Sequence, residues 1–511
     1  MEPVRPNTSA WVATTPDAGY PGLEHPLRVD VAVIGGGITG LTTALLLKRG
    51  GATVAVLERH AVAGGTTGNT TAKITSLHIL VYAELLRSLG GERARQYAEA
   101  NQAAVEQIAR LVEDEAIDCD FTRMPAVTYA SEPANLLAIE AEVDASRQLG
   151  LPVSFVTDAD LPYPVAGGVR FDQQAQFHPR RYCLALAQLI NGAGSHVFEN
   201  TAVTKVRRGS PCRVETQDGN TVAADRVVVA TLLPFMNEGL FSARTEPARS
   251  YALGVRVDPA QDVGAMYINV EAPTRSIRSH PFPGDDAYLV IGGEGHKTGH
   301  DEDTEERYRS LEAWARETFT VRSIEHRWSA QDFRTLDGVP YVGRLTKRDD
   351  RVYVATGFQK WGMTNGTGAA MILSRTMLGD PPPWAAVFDS TRANPRQSGK
   401  HFVKAQTDVA ARFVGDRLAR RPRRPEELVG GEGAITSVGG EKVAVSRGLD
   451  GTVRAVSPVC THLGCLVRWN SAERSWDCPC HGSRFDANGQ VLEGPATRDL
   501  EPKSVPHQGS D

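Results

Sequence analysis

Four of the chain's seven cysteines, Cys460, Cys465, Cys478 and Cys480, fall within 21 residues, beside His462 and His481. No other feature constrains the fold as much. Cys460 and His462 form C-x-H, and Cys478 and His481 form C-x-x-H. Two loops therefore each offer one thiolate and one imidazole. That set suits an iron–sulfur cluster in which one iron takes two cysteines and the other takes two histidines. Neutral imidazoles on one iron raise the potential to roughly -150 to +300 mV. Structural zinc held by the same four side chains is the alternative. Zinc fingers usually pair like ligands within a loop, whereas here each loop mixes them. The other three cysteines, Cys119, Cys183 and Cys212, are scattered and read as small buried hydrophobes.

At 511 residues the chain is too long for one ordinary core, and two or three domains are expected. The net charge of -5 argues against nucleic acid as a partner. No apolar run reaches the ~18 residues that span a bilayer. The first residues carry neither the charged start and apolar core of a signal peptide nor a twin-Arg pair, so a cytoplasmic location is expected. In such a compartment a cysteine cluster more often binds metal than forms a disulfide scaffold.

Residues 1–28 read as a polar lead-in. Asp30 to Ile34 is a short apolar run followed by glycines, as in a buried parallel strand. A helix over Ile38 to Lys48 and a second strand over Thr53 to Glu58 complete one βαβ unit. Helical composition recurs at Glu92–Glu113, Pro133–Leu149, Pro179–Ile190, Glu305–Thr318 and Gly366–Leu378. Val227–Ala230 and Val352–Thr356 read as further short strands. Residues 245–330 mix strands with one helix, as in an inserted substrate subdomain. The Arg- and Pro-rich run Arg417–Leu428 reads as a helix end entering a linker, 396–427. Beyond it, short strands separated by Gly, Asn and Asp suggest a small antiparallel β domain, 428–508.

Gly35, Gly37 and Gly40 form G-x-G-x-x-G directly between the first strand and its helix. Gly35 permits the tight turn, Gly37 the approach of a pyrophosphate, and Gly40 close packing of helix on strand. Free N–H groups at the helix start then face the phosphates. Glu58, with Arg59 beside it, ends the next strand 18 residues after Gly40 and suits an adenosine ribose. This context marks a dinucleotide site.

The run from Val31 to Arg59, followed by GGTTGNTTAK (Gly64 to Lys73), resembles the glycine/D-amino-acid oxidase family of FAD enzymes. Further matches are VVVAT (Val227 to Thr231), LDGVPYVGR (Leu336 to Arg344) and VYVATGFQKWGMTNG (Val352 to Gly366). The resemblance covers about residues 29–380 within a 29–395 unit. It implies non-covalent FAD, with Gly65, Thr66, Thr67, Asn69 and Thr71 in a second loop against pyrophosphate and flavin. It implies a backbone contact from Val203 to adenine, and Gly357, Gly362, Met363 and Thr364 against the flavin. Lys360, Trp361 and Lys73 are the candidate catalytic residues. The family's carboxylate-binding arginine has four candidates: Arg249, Arg275, Arg278 and Arg334. His178 reads as a helix cap, and His296 with Lys297 as part of a Gly-rich loop.

Residues 428–508 resemble the Rieske proteins of cytochrome bc-type complexes. The resemblance implies a [2Fe–2S] cluster on Cys460, His462, Cys478 and His481. It also implies a Cys465–Cys480 disulfide clamping the two loops. Ser483 matches a hydroxyl that hydrogen-bonds the family's cluster sulfurs, while Phe485 replaces its tyrosine, so one donor is missing. The expected architecture is an α/β Rossmann-like FAD-binding domain with an inserted α+β substrate domain, followed by a small all-β Rieske domain. The expected activity passes electrons from an amine or amino-acid-like small molecule through FAD to the cluster and on to an external acceptor. Two alternatives stay open. Electrons could run from a ferredoxin or reductase through the cluster to FAD, or the chain could be a redox sensor or binding protein with vestigial catalysis.

Overall fold

The computed structural model describes residues 5–301, 303–392 and 424–504. Leu27–Ile34 and Val54–Leu57 pair in parallel, and their apolar residues are buried on both faces because helices cover the sheet. The sheet has eight strands, with Tyr341–Arg344, Val352–Thr356, Thr221–Val229, Leu27–Ile34, Val54–Leu57 and His196–Phe198 in spatial order. The helix Ile38–Arg49 follows the glycine turn, as expected. The helix expected from Gly366 begins four residues earlier, at Gly362, with Trp361 as its N-cap. Its glycine-rich start is tolerated because the first turn is packed among buried neighbours rather than exposed to water.

The second sheet has ten strands and is larger than an insert at 245–330. Its long members are Thr245–Val257, Ala287–Lys297 and Val321–Thr335, paired antiparallel. Lys73–Ile74, Thr122–Ala130, Val153–Val156 and Gly167–Gln176 extend it from much earlier in the chain. The substrate subdomain is thus assembled from separate segments, which meet where Met266–Asn269 pairs in parallel with Thr122–Ala130. The lead-in also folds against this body. Ser9 caps the short helix Ala10–Ala13, and fully buried Trp11 donates Nε1–H to the Thr70 carbonyl at 2.7 Å. Burying an indole this way removes a large apolar surface from water while satisfying its one donor.

The last domain is all antiparallel β, in sheets of three and four strands. Trp476 and Phe485 are fully buried at its centre. Most of the expected linker, 396–423, and the greater part of the Arg417–Leu428 run lie outside the described residues. The domain packs on the second sheet through buried polar groups. Thr304 Oγ1 donates to Asn470 Oδ1 at 2.7 Å and accepts from the Ala472 N–H at 3.0 Å, and the Tyr308 hydroxyl donates to Glu473 at 3.0 Å. Among the described residues, no helix is long and apolar enough to cross a membrane.

Candidate functional site

A cavity of about 800 Å³ runs from the glycine turn to the second sheet and onto the C-terminal domain. At one end Gly35 takes φ +109°, and a Cβ there would lie 2.5 Å from the Ala230 carbonyl oxygen. A Cβ at Gly40 would lie 1.9 Å from the Gly35 oxygen, so only glycine lets the helix start this close to the strand. Gly37 is the N-cap and offers no side chain, which leaves the helix start open to the cavity. Glu58 also lines it, accepting from the Gly36 N–H at 2.7 Å and the His60 N–H at 3.0 Å.

Arg59, Gly65, Thr66, Thr67, Asn69, Thr71, Lys73, Val203, Gly362 and Met363 line the same cavity. The turn and its phosphate-facing helix start therefore fit a dinucleotide, and the volume lies in the usual range of cofactor pockets. Gly357 and Thr364, also expected against the flavin, are not among the residues that line the cavity. Gly357 serves the turn at φ +79°, where a Cβ would strike Thr335 at 2.3 Å. Thr364 is pulled inward by the Thr75 carbonyl and His78 Nε2, at 3.0 and 3.1 Å.

The far end of the cavity gathers charge. Gln359 and Lys360 both take positive φ, 57° and 72°, conformations that cost non-glycine residues of order 1–3 kcal/mol each. They are held by the Gln359 N–H bond to the Phe333 carbonyl and by Asp332, which accepts from the Lys360 N–H. Lys360 Nζ meets Ser250 Oγ on the wall of the cavity. Desolvation by the surrounding protein, with the Arg334 charge, pushes this amine down to about 8. Trp361 stacks on His78, with centroids 4.8 Å apart. Buried His78 is pushed down to about 3 and stays neutral. Lys73 is held well below its ordinary value by burial, and its Nζ donates to the Tyr267 carbonyl at 2.6 Å and to Ser276.

Of the four arginine candidates, Arg249 and Arg334 line the cavity. Arg275 is paired with buried Glu294 at 2.7 Å, and Arg278 donates to the Thr71, Phe177 and Ser279 carbonyls. Arg249 is 1% exposed and uses Nη2 on Ser329 and on Glu473 at 3.3 Å, while its Nε and Nη1 have no partner among the described residues. His178 caps its helix by accepting from the Arg181 N–H. His296 belongs to a strand rather than a loop and bonds Tyr251.

In the C-terminal domain Cys465 and Cys480 form a disulfide between the two loops. The sulfurs of Cys465, Cys478 and Cys480 lie within 4.8 Å of one another, but the disulfide consumes two of them. Cys460 and Cys478 are both buried and outside any disulfide. Cys478 and Ser483 lie close enough to hold the Cys460 thiol below its ordinary value, at about 7. The His462 and His481 rings stand 5.1 Å apart, and burial pushes both down to about 4, so both are neutral. His462 Nε2–H donates to Asn237 Oδ1 at 3.2 Å, which leaves Nδ1 buried without a partner. Two thiols and two neutral imidazoles, one with an orphaned lone pair, fit a cluster with mixed ligation.

One residue joins the two halves. Thr66 Oγ1 in the second cofactor loop donates to the Gln331 carbonyl at 2.9 Å, and Gln331 Nε2 donates to the Gly482 carbonyl at 2.8 Å. Gly482 sits between His481 and Ser483 in the second cluster loop. Gln331, Glu473, His78 and Asn237 carried no sequence signal. Each matters through a partner far along the chain.

Residues 30–376 match the DAO family model, FAD dependent oxidoreductase, and residues 423–504 match the Rieske [2Fe-2S] domain. The putative Rieske 2Fe-2S iron-sulfur protein YhfW of Bacillus subtilis is 34% identical over 492 residues, 96% of each chain. The gamma-glutamylputrescine oxidoreductase of Escherichia coli is 25% identical, over 73% of this chain and 90% of its own. Glycine oxidase from Geobacillus kaustophilus superposes with a TM-score of 0.60 at 19% identity, covering 72% of this chain and 100% of that one, which shows the shared fold. The chain belongs to the DAO family of FAD-dependent oxidoreductases and joins that enzyme fold to a Rieske [2Fe–2S] domain.

Proposed function

We propose that this enzyme oxidises an amine or amino-acid-like substrate and passes the electrons through FAD and the cluster to an external one-electron acceptor. The observation that carries this reading is Gln331, bonded on one side to the Thr66 loop and on the other to Gly482 beside His481. A shared residue between two cofactor loops suits transfer within one molecule. When bound, FAD supplies acceptance of two electrons from the substrate and their release one at a time, which matches the one-electron capacity of the cluster.

The glycine turn, Glu58 and the Gly64–Lys73 loop hold FAD non-covalently, and Cys460, His462, Cys478 and His481 hold the cluster. Arg249, on the cavity wall, supplies the positive charge that attracts a substrate carboxylate. Glu473 and Ser329 fix the guanidinium through Nη2, so it is oriented before the substrate arrives. Lys360 Nζ, depressed to about 8, accepts the proton that a substrate ammonium must lose before its C–H bond is oxidised. Trp361, held flat by His78, walls the site against water. Loss of one ammonium proton to Lys360, and of the C–H hydrogen with its two electrons as the hydride equivalent that bound FAD would accept, leaves the substrate as an iminium ion. We place the reaction in the cytoplasm, with the disulfide shielded between buried loops.

Anaerobic mixing with a panel of amino acids and amines tests this. Bleaching of the flavin absorbance followed by the electron-spin signal of a reduced cluster is the expected order. Flavin that stays oxidised with every amine, but reduces when a ferredoxin feeds the cluster, would reverse the direction.

A further inference from the structure

The FAD cavity is not closed by the oxidoreductase domain alone. Glu473, Arg484, Leu492, Glu493, Gly494, Ala496 and Thr497, all from the C-terminal domain, line the cavity shared by Gly37, Glu58 and Met363. Leu492 is a large apolar side chain left 38% exposed toward that space. Glu493 accepts from Arg484 through Oε1 at 2.8 Å, while its Oε2 is buried with no partner. An unpaired buried carboxylate oxygen on a cofactor cavity is an acceptor waiting for a donor, and none of the described residues supplies one. Beyond it, Asp499 lies close enough for its charge to act on Arg59, beside the ribose acid Glu58. The domain therefore supplies part of the cavity wall, and its charge reaches the ribose end.

We propose that the Rieske domain is the retaining wall of the FAD site, with Glu493 Oε2 accepting a hydrogen bond from a cofactor hydroxyl. FAD enters before this domain docks and leaves only when it undocks. The contacts that keep it docked lie partly outside the cavity. A Cβ at Gly299 would lie 2.8 Å from Pro479 Cα, and Thr304 bonds Asn470 and Ala472. None of these residues lines the FAD cavity, so they change docking without touching the cofactor.

The test is the rate of FAD release from holoenzyme diluted into FAD-free buffer, read as the rise of free-flavin fluorescence. It does not depend on the direction of electron flow or on turnover. Gly299→Leu wedges the domains apart, Thr304→Val removes the hinge-side hydrogen bonds if the first variant fails to fold, and Glu493→Ala removes the acceptor. Each is expected to release FAD roughly tenfold faster or more, the scale of a lost hydrogen bond to a charged group. The electron-spin signal of the dithionite-reduced cluster is expected to stay as in the wild type. Release at the wild-type rate from Glu493→Ala overturns the cofactor contact. Release at that rate from the folded docking variants overturns the retaining wall.

Discussion

Arg249 lies directly opposite Gln331 in the antiparallel pairing of Thr245–Val257 with Val321–Thr335. Opposed residues on neighbouring strands project to one face, and this pair projects toward the C-terminal domain. Arg249 reaches Glu473 there, and Gln331 reaches Gly482. One rung of the sheet thus carries both the candidate substrate anchor and the bond to the cluster loop. Glu473 also lies 3.8 Å from Arg484 and accepts from Tyr308. A buried ion pair of this kind orients groups more surely than it stabilises them, since desolvation offsets much of the attraction.

Arg249→Met should weaken transition-state binding of a carboxylated substrate by about 1.5–3 kcal/mol, a fall of roughly 10- to 150-fold in kcat/KM. An amine lacking the carboxylate should lose far less. The measurement is the rate of flavin bleaching against concentration for the two substrates. Equal losses for both would mean that Arg249 shapes the cavity rather than binding the carboxylate. Glu473→Gln should be milder, because the amide still accepts from Arg249 while its charge is gone.

Lys360 should set the pH dependence of substrate oxidation. Its amine is pushed down to about 8 by desolvation and by Arg334, against the opposing charge of Asp332. Asp332 itself is raised to about 6 by burial, so it is ionised through the range in which Lys360 titrates. A proton acceptor must be neutral to work. The rate of flavin reduction should therefore be low below the folded value and rise as pH passes through about 8. Lys360→Met should flatten that limb and lower the rate roughly 10²- to 10⁴-fold. A limb that persists in the variant would assign the titration to the substrate amine.

Cys478→Ser should separate the two half-reactions. Removing a thiolate ligand disables the cluster without touching the Thr66 loop. Flavin bleaching by substrate should survive, whereas turnover with a one-electron acceptor should fall to a small fraction of the wild-type rate. Gln331→Leu should keep the cluster's spin signal yet slow its reduction after the flavin bleaches, because the bond to the Gly482 carbonyl in the cluster loop is made by that side chain, while the Thr66 bond goes to the main-chain carbonyl and survives. Rapid mixing with spectral separation of flavin and cluster measures both. Unchanged acceptor turnover in Cys478→Ser would remove the cluster from the path.

The features legible from the sequence are those whose chemistry lies in local spacing. The Gly35–Gly40 turn and the two Cys/His loops each need only a few consecutive residues, and both fold as that spacing implies. Contacts made by folding at a distance left no such trace. Glu473 and Arg484 belong to no local motif, and the Gln331–Gly482 bond spans 151 residues. The ten-stranded sheet escaped for the same reason. Its strands come from either side of the Rossmann-like βαβ unit's later elements, so no single stretch of sequence marks it. The helix start at Gly362, four residues before the expected Gly366, carries Thr364 to a contact with His78 that no local spacing announces.

Phe485→Tyr should raise the potential of the cluster. Hydrogen bonds to the cluster's sulfurs stabilise its reduced, more negative form, and so favour electron uptake. Ser483 lies close enough to Cys460 to lower its thiol, while its hydroxyl oxygen accepts from the Ala496 N–H at 3.0 Å. Phe485 lies two residues on, fully buried opposite Trp476. A hydroxyl added there has no water to meet, so it must find an acceptor within the domain or cost stability. The sulfurs held by Cys460 and Cys478 share that core with the ring. A redox titration followed by electron spin resonance should show a higher midpoint for Phe485→Tyr and a lower one for Ser483→Ala. A thermal melt distinguishes the outcomes for the tyrosine. A raised potential with unchanged stability places the hydroxyl on a sulfur, and an unchanged potential with a lower Tm shows it buried without one.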